Sequence, residues 1–176
     1  MTPKTLALWL ALAALPGIAV AAGKAHEHGA ARLDVAIEGT RVTLGLEAPL
    51  DNLLGFERAP RNAAEKQAAD AAVATLKAAD RLFRFEPVAG CMLTGVTLAS
   101  AALGLGDAKA EPGDEHADID AEFVFTCQDA SQVAGIDVGL FDAFKRLQRL
   151  DVQVATARGQ FKQTLKRGAA RIALKR

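Results

Sequence analysis

The stretch Arg32-Leu33-Asp34-Val35-Ala36-Ile37-Glu38-Gly39-Thr40-Arg41-Val42-Thr43-Leu44-Gly45-Leu46 carries two runs of alternating side chains. Leu33, Val35 and Ile37 stand against Asp34, Ala36 and Glu38. After Gly39-Thr40 the residues Val42, Leu44 and Leu46 repeat the pattern. A period of two places one set on each face of a strand. Two such runs around a glycine-containing turn make a β-hairpin. Pro49 ends it, and Leu50 to Pro60, with Gly55 inside and a proline at each border, reads as a loop.

Outward from the hairpin, Asn62 to Arg81 reads as one long helix. Asn62 is placed to cap it, with Glu65 three residues on. Its large apolar members are Val73 and Leu76 among many alanines, so it is expected to lie close against a sheet. Leu82 to Phe85 is a short strand closed by Pro87. Met92 to Leu98 and Ile119 to Phe125 alternate as strands. Val138, Leu140, Phe141, Phe144, Leu147 and Leu150 have helical spacing and predict a short helix. Asp151–Ala157, Gly159–Leu165 and Ala169–Leu174 alternate again, separated by Arg158-Gly159 and Arg167-Gly168. The sum is an α+β fold of mostly antiparallel sheet with one long and one short helix.

Cys91 precedes one of the central strands and Cys127 follows the other. Between the strands lies an acidic loop, at about 104–118, rich in Gly, Pro and charge. An antiparallel pairing brings the two cysteines together, and an even cysteine count in an exported chain reads as a disulfide. The alternative, a thiolate pair for a soft metal or a redox cycle, lacks a Cys-x-x-Cys and a neighbouring His. The loop offers little to bury, so it is expected to be mobile without metal.

Export is read from the first 22 residues. Lys4 is followed by an apolar run from Leu6 to Leu15, a break at Pro16-Gly17, and the small residues Ala19-Val20-Ala21-Ala22. This is the pattern of a signal peptide cleaved after Ala21 or Ala22. The run is shorter than the roughly 20 apolar residues that span a bilayer. The expected location is the periplasm, with a single domain over residues 23–176 and no membrane span after cleavage. Removing Lys4 from the 21 basic residues leaves 20 against 21 acidic. No global field therefore attracts nucleic acid. Tyr is absent and the one Trp lies in the signal segment, which excludes sites built on tyrosine hydroxyls or indole stacking.

Three histidines occur: His26, His28 and His116. In an extended His26-Glu27-His28 the two imidazoles point to one side, a spacing that suits a borderline cation such as Zn²⁺. His116 sits among Asp114, Glu115 and Asp118, a second set of oxygen and nitrogen donors. The residues alone also allow a plain terminal segment and a solvated loop. The start Ala25-His26-Glu27-His28-Gly29 and the segment Ala48-Pro49-Leu50-Asp51-Asn52-Leu53-Leu54-Gly55-Phe56-Glu57-Arg58-Ala59-Pro60, followed by the alanine-rich helix, resemble the periplasmic zinc-uptake accessory family of ZrgA-like proteins. So does the placing of the cysteines around a polar loop. The resemblance implies a periplasmic protein that binds zinc and assists its import alongside an ABC-type uptake system. Carried onto this chain, the candidate ligands are His26, His28 and His116, with Glu115 and Asp118 beside them. Two departures stand out: the loop between the cysteines holds one histidine where the family often has many, and Arg58 stands where a histidine is common.

Catalysis finds little support. The chain after the signal segment has Ser100 and Ser131 but no nucleophile elbow, and Gly104-Leu105-Gly106 lacks the context and third glycine of a dinucleotide site. The competing non-enzymatic reading is a metal-independent envelope module that docks a partner, or acts as a chaperone, through the acidic loop or the basic C-terminal strands.

Overall fold

The computed structural model describes residues 27–108 and 117–174. The hairpin forms as expected, from β1 (Ala30–Glu38) and β2 (Arg41–Pro49), with Glu38 opposite Arg41 across Gly39-Thr40. Gly39 has φ +59°, the conformation for which a glycine is used at such a turn. The apolar set Leu33, Val35, Val42, Leu44 and Leu46 is buried.

The next segment corrects the expected loop over 50–60. Leu50–Leu54 forms a short helix, α1, closed by Gly55 in the left-handed region at φ +86°. The single long helix is also divided, into α2 (Ala63–Lys77) and α3 (Ala79–Leu82). Asn62 caps α2 by accepting the Glu65 N–H at 2.9 Å. The Glu65 carboxylate turns back to the Arg61 N–H at 2.7 Å, one residue short of the full capping box. Ala69, Ala72 and Leu76 are the buried residues of α2.

Then come β3 (Phe83–Arg84), β4 (Met92–Ala99), β5 (Asp118–Thr126) and β6 (Gly135–Val138). The helix expected over 138–150 is reduced to one turn, α4 (Leu140–Ala143). Phe141, Phe144, Leu147 and Leu150 are all buried, so the spacing did mark the core. The chain meets it with a turn and an extended segment instead of a continuous helix. The strands β7 (Arg149–Thr156), β8 (Gly159–Lys166) and β9 (Arg171–Ala173) complete the fold.

Six strands make one sheet in the order β4-β5-β2-β1-β7-β8, and β3-β6-β9 make a second. Pairing is antiparallel throughout these named strands except between β1 and β7, which run parallel with Ala30 opposite Arg149. The two sheets meet through aromatic side chains: Phe83 against Phe123 at 5.2 Å between ring centroids, and Phe85 against Phe125 at 4.8 Å. Burial of side chains of this size stabilises by roughly 1.5–3 kcal/mol each. A disulfide joins Cys91 and Cys127 at the outer ends of β4 and β5, as the cysteine placement predicted. The fold is α+β with mostly antiparallel sheet and one helix longer than the rest. Among the described residues no helix is long and apolar enough to cross a membrane.

Candidate functional site

Four neighbouring strands of the larger sheet bring their chain ends together. Arg32 at the start of β1 faces Glu47 near the end of β2, Pro49 faces Asp118 at the start of β5, and Ala30 faces Arg149 at the start of β7. His28 and Gly29 lead into β1 at this end, and α1 follows β2 directly.

Two polar residues of α1 turn inward to hold the entering chain. Asn52, 1% exposed, accepts the Gly29 N–H and donates to the Ala30 carbonyl, both at 2.6 Å. The Gly29 carbonyl accepts the N–H groups of Gln148 and Arg149 at 2.7 and 2.9 Å. The backbone beside His28 is thereby fixed from two directions. Asp51 takes the side chain: its Oδ2 lies 3.0 Å from His28 Nδ1.

Asp51 is itself clamped. Arg146 Nη2 donates to both carboxylate oxygens, at 2.8 and 2.9 Å, and Nε donates to the Asp51 carbonyl at 2.9 Å. Burial pushes the Asp51 carboxyl up, but the hydrogen bonds from Arg146 and His28 outweigh it and hold the group below its ordinary value. An ionised carboxylate only accepts, so His28 Nδ1 carries a proton, and in the neutral ring the lone pair is then on Nε2. Nε2 points toward Glu57, whose Oε1 is 3.9 Å away. The His28 side chain is 63% exposed, so the ring is open to solvent.

The surrounding segments are tied down as well. Arg58 makes a bidentate pair with Glu65 at 2.6 and 2.8 Å and lies over the Phe56 ring. That pair, with the Arg61 N–H, pulls the Glu65 carboxyl down to about 2. It fixes the stretch that carries Glu57. Arg149 holds Glu27 at 2.6 and 2.8 Å, so Glu27 is engaged away from the His28 imidazole. The turn bearing Arg146 is gathered by Arg167, which donates to the carbonyls of Phe141, Phe144, Lys145 and Leu147.

Of the expected ligands, His28 stands at the centre of this arrangement. Asp118 opens β5 opposite Pro49, and the Leu50 N–H donates to the Ala117 carbonyl at 2.8 Å. Asp118 therefore belongs to the same end of the sheet, as a strand residue and not as part of a loop. His26, Glu115 and His116 lie outside the described residues, as do the segment expected to be a signal peptide and the middle of the acidic loop. Among the described residues no group of three or more His, Cys, Asp and Glu is arranged to hold a metal ion. The reason is visible at His28: Asp51 and Glu57 face opposite nitrogens of one ring and do not converge on one point. A groove of about 450 Å³ opens on the outer face of the sheet beside Glu27, Ala30, Pro49 and Asp118, without including the imidazole.

Asp51, Asn52, Glu57 and Arg146 were not singled out as site residues from their types and spacing. The first three lie in the proline-bordered segment that carries the family resemblance. Arg146 lies 95 residues from its partner, and nothing local marks it.

No curated protein matches the chain. A family model described as ZrgA family zinc uptake protein matches residues 25–174. That span includes His28, α1 with Asp51 and Asn52, Glu57, both cysteines and Arg146, and the chain belongs to the ZrgA family of zinc uptake proteins.

Proposed function

We propose that the chain is a periplasmic zinc-binding protein that assists zinc acquisition, with His28 as the first ligand of the ion. The observation that carries this reading is the oriented imidazole. Its Nδ1 is spent on a buried, arginine-held carboxylate, and its Nε2 is turned outward beside Glu57. A histidine whose second nitrogen donates to a carboxylate is the usual form of a zinc-ligating histidine. Two ligands on a tetrahedral zinc ion stand roughly 3.3 Å apart. Closing the 3.9 Å between Nε2 and Glu57 Oε1 to that distance is a small side-chain movement. Further donors are proposed from His26 and His116, with Glu115 and Asp118 as the accompanying carboxylates. The components of an ABC-type zinc uptake system are the proposed recipients, and no catalytic step is assigned.

Zinc titration by calorimetry on the chain without its first 22 residues tests the reading. His28→Ala should abolish most binding, and His116→Ala alone should report whether that residue contributes. Zinc takes neutral imidazole, so uptake should weaken on acidification. Equal zinc uptake at pH 7.5 by wild type and by the His26→Ala, His28→Ala double variant would sink the metal reading. It would leave a metal-independent docking or chaperone-like module as the better account.

A further inference from the structure

We propose that Arg146 is a positioning residue of this site: by occupying both oxygens of Asp51 it keeps that carboxylate out of an ion's coordination shell and makes it the fixed acceptor of the His28 Nδ1 proton, so that a divalent cation is offered Nε2 on the Glu57 side. The inference rests on the reading of His28 as a ligand.

The geometry distinguishes two fates for Asp51. With unengaged oxygens it would be a good zinc ligand in its own right, since Asp carboxylates bind zinc at about 2.0–2.2 Å. Its Oδ2 lies 3.0 Å from Nδ1, close enough for the two atoms to share an ion on that side of the ring. Arg146 opposes this option, because its positive charge repels a cation there and its N–H groups take up lone pairs on both oxygens. Its Nη2 reaches Oδ1 at 2.8 Å and Oδ2 at 2.9 Å, while Nε holds the carbonyl of the same residue. A planar guanidinium can make these contacts at once, and a lysine ammonium cannot. With Asp51 10% exposed and Arg146 57% exposed, the guanidinium stands on the solvent side of the carboxylate.

The seat of Arg146 is built from separate parts of the chain. Its stem passes Gly55, where an added Cβ would stand 3.7 Å from Cδ, and φ +86° there disfavours any other residue. The turn from which it projects is gathered by Arg167 through four carbonyl groups. Arg146, Asp51 and His28 are thus joined in series, with Arg167 supporting the turn that carries Arg146.

Arg146 also ties α1 to that turn, so a loss of zinc binding alone would not separate positioning from support. The test uses wild type, Arg146→Met, Arg146→Lys, Asp51→Ala and the Asp51→Ala, Arg146→Met double variant. Zinc chloride is titrated by calorimetry, and imidazole ¹⁵N spectra are recorded without metal, with the His28 signals assigned by their loss in His28→Ala. Arg146→Met should weaken zinc binding about 10- to 100-fold, the usual range for loss of an outer-shell partner. In the Asp51→Ala background the same change should add nothing, because Arg146 acts through that carboxylate. Zinc-free wild type should show the proton on Nδ1, and Arg146→Met a mixture of both tautomers. Arg146→Lys should fall between the two in both readouts, and it carries the test if Arg146→Met does not fold.

Losses that add in the double variant, or wild-type tautomer and affinity in Arg146→Met and Arg146→Lys, would overturn the proposal and leave Arg146 a structural tie. Absence of zinc uptake by wild type would overturn the ligand reading of His28 instead. The imidazole signals would still show whether Arg146 governs the ring.

Discussion

The two ends of β5 are held in opposite ways. Beyond Thr126 the chain is fastened covalently, with Cys127 bonded to Cys91 and the Cys127 N–H donating to the Thr40 carbonyl at 2.8 Å. Before Asp118 the chain borders the histidine end, where His28, Asp51, Arg146, Glu27 and Arg149 are joined by hydrogen bonds and ion pairs alone. At one end the tie is a covalent bond that does not itself titrate. The other is held by ionisable side chains. A covalent fastening and an ionic one thus stand at opposite ends of one strand, and each can be altered without the other.

The largest effect should come from the covalent end. Replacing Cys91 and Cys127 together by Ser should destabilise by about 4 kcal/mol on the chain-entropy argument for a loop of this length. A thermal melt should then fall by roughly 10 °C. Zinc affinity should change less than twofold if the two ends are independent. A parallel loss of zinc binding would break the comparison.

Asn52→Ala comes next, at roughly 2 kcal/mol in urea unfolding, because its amide satisfies a donor and an acceptor of the entering backbone and leaves both unpaired when removed. Here zinc binding should weaken as well, since the backbone carrying His28 loosens. A full stability loss with unchanged zinc affinity would show that the imidazole is held by Asp51 without help from its backbone.

Smaller still is the ionic tie beside Glu57. The Glu65 carboxyl is held at about 2 when folded, against an ordinary value of 4.5. Its contribution is therefore complete above pH 4.5 and lost as pH falls toward 2. The stability difference between wild type and Glu65→Gln, read from urea unfolding at pH 7, 4 and 2.5, should shrink steadily across that series. A difference that stays constant would mean that the pair with Arg58 contributes through packing and not through charge.

The parts of the fold legible in the sequence were those set by local periodicity or by parity. The hairpin, the strands flanking the cysteines, the Asn62 cap and the disulfide all belong there. The parts that were not legible depend on partners far along the chain. Asp51 and Asn52 have the composition of a loop, and it is the presence of residues 28–30 and of Arg146 that makes their burial in α1 favourable. The spacing of Phe141, Phe144 and Leu147 resembles a helix because all three are buried. Arg167 instead takes the carbonyls of Phe141, Phe144 and Leu147 that a helix would have bonded within itself, so a single turn suffices. At the candidate site, the spacing to His26 is what marks His28 in the sequence. The residues that aim it are not so marked, because neither charge nor spacing links position 146 to position 51.

The parallel pairing of β1 with β7 has a temporal consequence. The hairpin of β1 and β2 closes over a two-residue turn and can form while the chain is still being delivered. The pairing of Ala30 with Arg149 cannot form until most of the chain is present. Closing such a distant contact is slow compared with forming a hairpin. Arg146, three residues before β7, meets Asp51 only at that stage. A partly synthesised or unfolded chain thus carries His28 without the contacts that orient it.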